Sequence, residues 1–172
     1  MKNFIINKKY FIIAIFCAII IAYLDLLTKS IAFNAVDKYF INNGFPYIIV
    51  TDFFNIVKVW NHGVSFGMFN NLEYSKEIFV ILVAIIATGL VIWLYKIEDK
   101  VLITAISLIL GGALGNMIDR IINSAVADFL DFHAFGYHWP AFNLADISVF
   151  CGVVLFLFDD LILKKNKNDK KT

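Results

Sequence analysis

The sequence predicts a membrane α protein: four transmembrane helices, a small β-rich region on the outer side and a short interfacial helix. Two observations predict it. Of 172 residues, 60% are hydrophobic and 18 are Phe, far from the average of a soluble domain. The apolar residues also gather into four runs near the length of about 20 residues that crosses a bilayer. Residues 1–163 read as one integral membrane domain, and 164–172 as a basic tail with no fold of its own.

The first run covers about 10–33 and is broken by Asp25 and Lys29. Lys2, Lys8 and Lys9 precede it as they would a signal peptide. No small-x-small site follows promptly and the apolar stretch continues past Asp25, so it reads as a retained helix. Residues 46–60 are rich in β-branched and aromatic side chains, which predicts short strands and a small sheet. Next, Asn61-His62-Gly63-Val64-Ser65-Phe66-Gly67 has glycine at two turn-capable positions, and Met68, Phe69 and Leu72 suit one face of a short interfacial lid helix. The second run, about 78–95, is the cleanest. The third, about 101–122, contains Gly111, Gly112 and Gly115, and the Gly111-x-x-x-Gly115 spacing lets helix backbones approach closely. The fourth covers about 142–163. The stretch 131–140 carries no pattern that dictates its shape.

Short cytoplasmic segments carry an excess of Lys and Arg. Such residues crowd the N-terminus, the turn holding Lys96 and Lys100, and the tail with Lys164, Lys165, Lys167, Lys170 and Lys171. Both termini are therefore expected in the cytoplasm, with 34–77 and 123–141 facing outward. Asp25, Asp119, Asp128 and Asp146 then converge on the outer membrane surface. A charge at membrane depth costs roughly 3 kcal/mol on insertion scales, so such carboxylates are candidates for function. Asp159 and Asp160 lie beside the lysine tail, where solvation at the interface explains them without a role.

Several chemistries are disfavoured. The formal net charge of +1 offers no field for nucleic acid. His62, His133 and His138 have no metal-ligand spacing, and neither Ser65 nor Ser148 has a nucleophile-elbow context. Cys17 and Cys151 sit in apolar helices and read as small hydrophobes without a disulfide. No metal or other cofactor is expected.

Five blocks stand out in order along the chain: Asp25-Leu26-Leu27-Thr28-Lys29, Asn61-x-Gly63-x-x-Phe66, Gly111-Gly112-Ala113-Leu114-Gly115-Asn116-x-x-Asp119-Arg120, Val126-x-Asp128-Phe129 and Phe142-Asn143-x-Ala145-Asp146. Together they resemble the lipoprotein signal peptidases, or signal peptidase II, a family of bacterial inner-membrane aspartyl proteases. Val64 and Ser65 depart from it, standing where the family often has alanine. The resemblance implies that Asp128 and Asp146 are the catalytic pair and that Asp119 belongs to a supporting element. Spacing alone leaves the choice open among Asp119, Asp128, Asp131 and Asp146. The implied substrate is a prolipoprotein whose lipobox cysteine already bears diacylglycerol, cut just before that cysteine, with the acyl chains held in membrane lipid. Sensitivity to globomycin is implied on the same ground, and a monomer is expected.

Supporting roles follow by the same combination. Asp25 and Lys29 stand i, i+4 on one helix face, which favours a structural ion pair over a substrate contact. Asn116 and Asn143 are candidates to bond the dyad or the substrate backbone, interhelical bonding being the plainer explanation. Arg120 follows Asp119 directly, does not face it, and is free to reach a substrate carbonyl or a lipid phosphate. Asn61, Gly63 and Ala145 complete the candidate set, with Asn61 facing the cleft from the lid loop. Two other classes fit four helices with outer acids. A proton-coupled transporter would use Asp25 as carrier and needs polar residues along several helices, yet the second run offers only Thr88. A scaffold would tolerate asparagine at Asp128 and Asp146.

Overall fold

The computed structural model describes residues 8–63 and 75–163. The expected lid helix at Met68, Phe69 and Leu72 and the 164–172 tail lie outside the described residues.

Helix α1, Lys8–Asn43, runs well past its expected end near residue 33. The apolar signal fades because Asn34, Asp37 and Lys38 interrupt it, but the packed face does not. Phe33 and Val36 are buried, Phe33 meets Trp60 edge-on at 5.0 Å, and Lys58 reaches Asp37 at 2.6 Å. At about 1.5 Å per residue such a helix spans about 54 Å, against about 30 Å of hydrocarbon core. Its last turns are thus free to support a sheet. The helix stops at Gly44, whose φ of 77° is left-handed and whose N–H donates back to the Phe40 carbonyl at 2.8 Å.

Burial on α1 inverts the pattern of a soluble helix. Ala14, Ala18, Ala22, Asp25, Lys29, Ala32 and Val36 recur every three or four residues and are buried, while Ile12, Phe16, Ile19, Tyr23 and Leu27 are exposed. Lipid tails are as apolar as leucine, so helices in lipid gain from close backbone approach at small residues rather than from hiding large ones.

Helices α2, Ser75–Leu94, and α3, Lys100–Asn123, follow. Asp99 caps α3 by accepting from the N–H groups of Val101 and Leu102 at 2.9 and 3.3 Å. Helix α3 packs between α1 and α4, Leu144–Phe158, and its glycines set the spacing. A Cβ at Gly111 would lie 2.6 Å from Ile21 Cβ, one at Gly115 would lie 2.5 Å from Asp25 Oδ2, and one at Gly112 would run into the Ala145 carbonyl. Among the described residues three helices, α1 to α3, are long and apolar enough to cross a membrane. Helix α4 is shorter and continues as a π-helical turn, Asp159–Leu163. Its buried stripe, Ala145, Ser148 and Gly152, extends to Asp159, which is 1% exposed. Asp159 is therefore not the solvated interfacial residue that its neighbouring lysines suggest, because helical spacing turns it inward; Asp160 is exposed.

The small sheet takes in more of the chain than expected. Strands β1, Tyr47–Thr51, and β2, Phe54–Asn61, form a hairpin, and β3, Val126–Ala134, and β4, Tyr137–His138, come from the connection between α3 and α4. The order is β1-β2-β3-β4, each pair antiparallel. Ile56 stands opposite Leu130 but Val59 stands opposite Asp128, so β2 carries one extra residue, a bulge, between them. The bulge brings Asn61 opposite Val126. Opposed residues share a face and alternate residues share a face. Asn61 therefore lies on the face of Asp128, where an unbroken register would have turned it away. Ala127 and Phe129 take the other face and pack on Ala32 and Phe33 of α1.

Candidate active site

Helix α4 begins where the site is built. Asn143 is its N-cap, accepting from the Asp146 N–H at 3.0 Å, and the Asp146 carboxylate accepts from the Asn143 N–H at 3.2 Å. This capping box fixes the Asp146 side chain against its own backbone. The Asn143 amide is then free to point elsewhere, and it donates to Asp128 Oδ1 at 2.7 Å and to Asn116 Oδ1 at 3.1 Å. One fully buried residue thus touches both carboxylates. Asn116 of α3 donates to Asp146 Oδ1 at 2.8 Å, and Asn61 at the end of β2 donates to Asp128 Oδ2 at 3.1 Å. The side chains of Asn116 and Asn143 bond Asp146 and Asp128 and, through each other, join α3 to the start of α4. Asn61 belongs to the sheet rather than to a loop.

Beneath the pair lies a charged layer. Lys29 Nζ contacts Asp25 at 2.6 Å, Asp119 at 2.8 Å and Asn116 Oδ1 at 2.9 Å, directing its three N–H groups to three acceptors. Asp25 also accepts from the Ala145 N–H at 2.8 Å, which ties α1 to the first turn of α4. Asp119 accepts from Asn123 and from the Ala127 N–H, each at 3.1 Å, holding the start of β3. Asp25, Lys29 and Asp119 are all buried. They form a scaffold on which Asn116 is set.

Arg120 donates to the Gly63 carbonyl at 3.1 Å and to the Asn116 carbonyl at 3.3 Å, and its guanidinium lies 5.4 Å from the Phe79 ring centroid. Gly63 in turn donates its N–H to Asn61 Oδ1 at 3.1 Å. Arg120 thus holds Gly63 against Asn61, the donor to Asp128.

Asp128 is buried and Asp146 is half-buried. Burial, with the Asp146 charge adding to it, raises the Asp128 pKa to about 7, against the lowering effect of the Asn61 and Asn143 donors and of Lys29. The site therefore pairs a carboxyl that keeps a proton near neutrality with the side chain of Asp146, which accepts from two donors. Such a pair supplies an acid and a base side by side. Among the described residues no group of three or more His, Cys, Asp and Glu is placed to hold a metal ion.

The family model described as signal peptidase (SPase) II matches residues 17–162. The chain belongs to the signal peptidase II family. The family's peptidases remove signal peptides from prolipoproteins. A lipoprotein signal peptidase of Francisella tularensis subsp. novicida is 40% identical over 161 residues, covering 91% of this chain and 94% of that protein. One from Anaplasma phagocytophilum is 41% identical over 121 residues, covering 70% of this chain and 78% of that one. A solved bacterial membrane enzyme superposes with a TM-score of 0.70 at 31% identity, covering 92% of each chain. These likenesses make the chain a signal peptidase II hydrolase with membrane helices and a small sheet.

Sequence reasoning left Asp131 open among four acids and named no partner for it. Asp131 accepts from Asn55 Nδ2 at 3.1 Å and contacts His138 Nδ1 at 2.8 Å. Its sequence signal is a second acid on the strand that already holds Asp128.

Proposed function

We propose that Asp128 and Asp146 catalyse cleavage of diacylglyceryl-modified prolipoproteins just N-terminal to the lipidated cysteine. One observation carries the reading: Asn143 bonds both carboxylates from a single side chain and backbone, while Asp25 and Asp119 are bound to Lys29. Asp146 takes a proton from a water molecule as the water oxygen adds to the scissile carbonyl, and Asp128 donates its proton to the developing oxyanion. Collapse of the tetrahedral intermediate returns the hydroxyl proton and passes one to the leaving cysteine amine. A carboxylic acid and an amine result, and the dyad regains its starting state.

In this reading the chain crosses the bacterial cytoplasmic membrane four times, the π-helical turn completing the fourth crossing, and both termini face the cytoplasm. The dyad then sits near the outer face, where a lipobox emerges. The acyl chains stay in lipid, each buried CH₂ contributing about 0.8 kcal/mol, and a substrate held in two dimensions meets the dyad already oriented. The protein acts as a monomer and binds globomycin, as the family resemblance suggests. The transporter reading lacks support, since Asp25 accepts from Lys29 and Ala145 and is fully buried.

Two outcomes test this account. A precursor peptide carrying diacylglycerol is cleaved far faster than the same peptide without it when both are presented to the protein in bilayers; equal rates would remove the lipid from the account. The rate also falls as pH rises through about 7, because Asp128 then loses the proton it must donate. The same shift affects stability in a definite direction. The folded state holds this proton more tightly than the unfolded chain, so stability is lost as pH rises from the ordinary carboxylate range to about 7. A rate that keeps rising well above that pH shows that Asp128 is not the acid.

A further inference from the structure

We propose that Asp131 is a positioning residue for the dyad, acting through His138 on the segment that delivers Asn143; the inference rests on Asp128 and Asp146 being the catalytic pair. Asp131 is three residues from Asp128 on β3, so alternation places it on the opposite face of the strand, away from the reacting groups. It is buried all the same, with a side chain 9% exposed. Its Oδ2 accepts from Asn55, which stands directly opposite on β2. Both its oxygens contact His138 Nδ1, at 2.8 and 3.0 Å.

What they hold is the return path from β3 to α4. Strand β4 is two residues long, too short to keep its register unaided, and its turn places Phe135 and Gly136 at φ of 54° and 81°. A two-residue hairpin wants that backbone, but Phe adopts it at a cost where Asn or Gly would not. The return is secured beyond β4 by Trp139 N–H to the Phe132 carbonyl at 2.8 Å, and by the exchange between Phe142 and Leu130 at 3.1 and 2.9 Å. Asn143 is the next residue. Asp131 and His138 thus close the open end of a clamp whose other end presents the amide that touches both carboxylates. His138 also stacks on His133, with ring centroids 4.9 Å apart. Loosening the clamp displaces Asn143. A displacement of about 1 Å in such a site costs on the order of a hundredfold in rate.

The test uses the full chain in bilayers, a diacylglyceryl-modified lipobox peptide, and four variants: Asp131→Asn, His138→Ala, His138→Asn and the double Asp131→Asn/His138→Ala. Asp131→Asn and His138→Ala are each expected to lower kcat roughly tenfold or more with KM within about twofold. The double variant is expected to be no slower than the worse single one, since the two residues act as one unit. His138→Asn keeps an N–H donor near the Nδ1 position and is expected to restore most of kcat. His138 has a side chain 57% exposed, so its variants carry the test even if Asp131→Asn fails to fold. Unchanged kcat in His138→Ala overturns the proposal, as do additive losses or a loss confined to KM or to melting temperature. Asp128→Asn, assayed beside them, separates the two layers. Its inactivity with intact His138→Ala activity overturns the clamp alone, and its full activity overturns the dyad and the clamp with it.

Discussion

Asp128→Asn and Asp146→Asn each reduce cleavage of a diacylglyceryl-modified precursor by about a thousandfold or more, with the folded protein recovered in normal yield. The size follows from what is removed. A positioned acid or base contributes typically about 10² to 10⁴ in rate, and neither amide can complete a proton transfer. The expected retention of fold follows from geometry. Asparagine at 128 still offers an oxygen to the Asn61 or Asn143 amide, and removing a buried carboxyl whose pKa is already raised relieves desolvation rather than adding to it. Asparagine at 146 keeps one oxygen for Asn116 or for the Asn143 N–H. Cleavage rates measured under single-turnover conditions, with melting curves for each variant, check both halves. Either variant cutting at the wild-type rate would falsify the dyad and return the scaffold reading.

Lys29→Leu is the second large effect, and it acts on the fold before the chemistry. Lys29 is the cation between Asp25 and Asp119, and all three are buried. Removing one partner of a buried charged group leaves the others uncompensated, a loss of roughly 3–5 kcal/mol, whereas removing all the charges together is often nearly neutral. The Lys29→Leu protein is therefore expected to melt much lower than wild type. An Asp25→Asn/Lys29→Leu/Asp119→Asn variant is expected to recover much of that stability. Activity should stay low in both, because Asn116 loses the Lys29 N–H that orients its amide toward Asp146. Thermal unfolding in one detergent decides the point: a single variant as stable as wild type shows that the triad does not hold α1 to α3.

The Asp25 and Lys29 pair was legible in the sequence because i, i+4 spacing on a helix is a local property. Lys29 also reaching Asp119 and Asn116 was not, since those contacts depend on how closely α3 docks, and Gly115 permits that approach. Asp159 shows the reverse failure. Its lysine neighbours suggested solvent, but its place on the stripe of Ala145, Ser148 and Gly152 turned it inward.

The apolar runs, the glycine face of α3 and the charged spacing in α1 are all properties of a single helix, set within a turn or two, and reading along the chain suffices for them. The choice of Asp128 and Asp146 among four acids came instead from resemblance to a family, because spacing across a loop carries no distance. The joining of β3 and β4 to the hairpin, the bulge that turns Asn61 onto the face of Asp128, and the reach of Asn143 to both carboxylates exist only once strands and helices have met. Strand register and helix docking are set by residues far apart in the chain. No local periodicity encodes which face of a strand will look at which end of a helix.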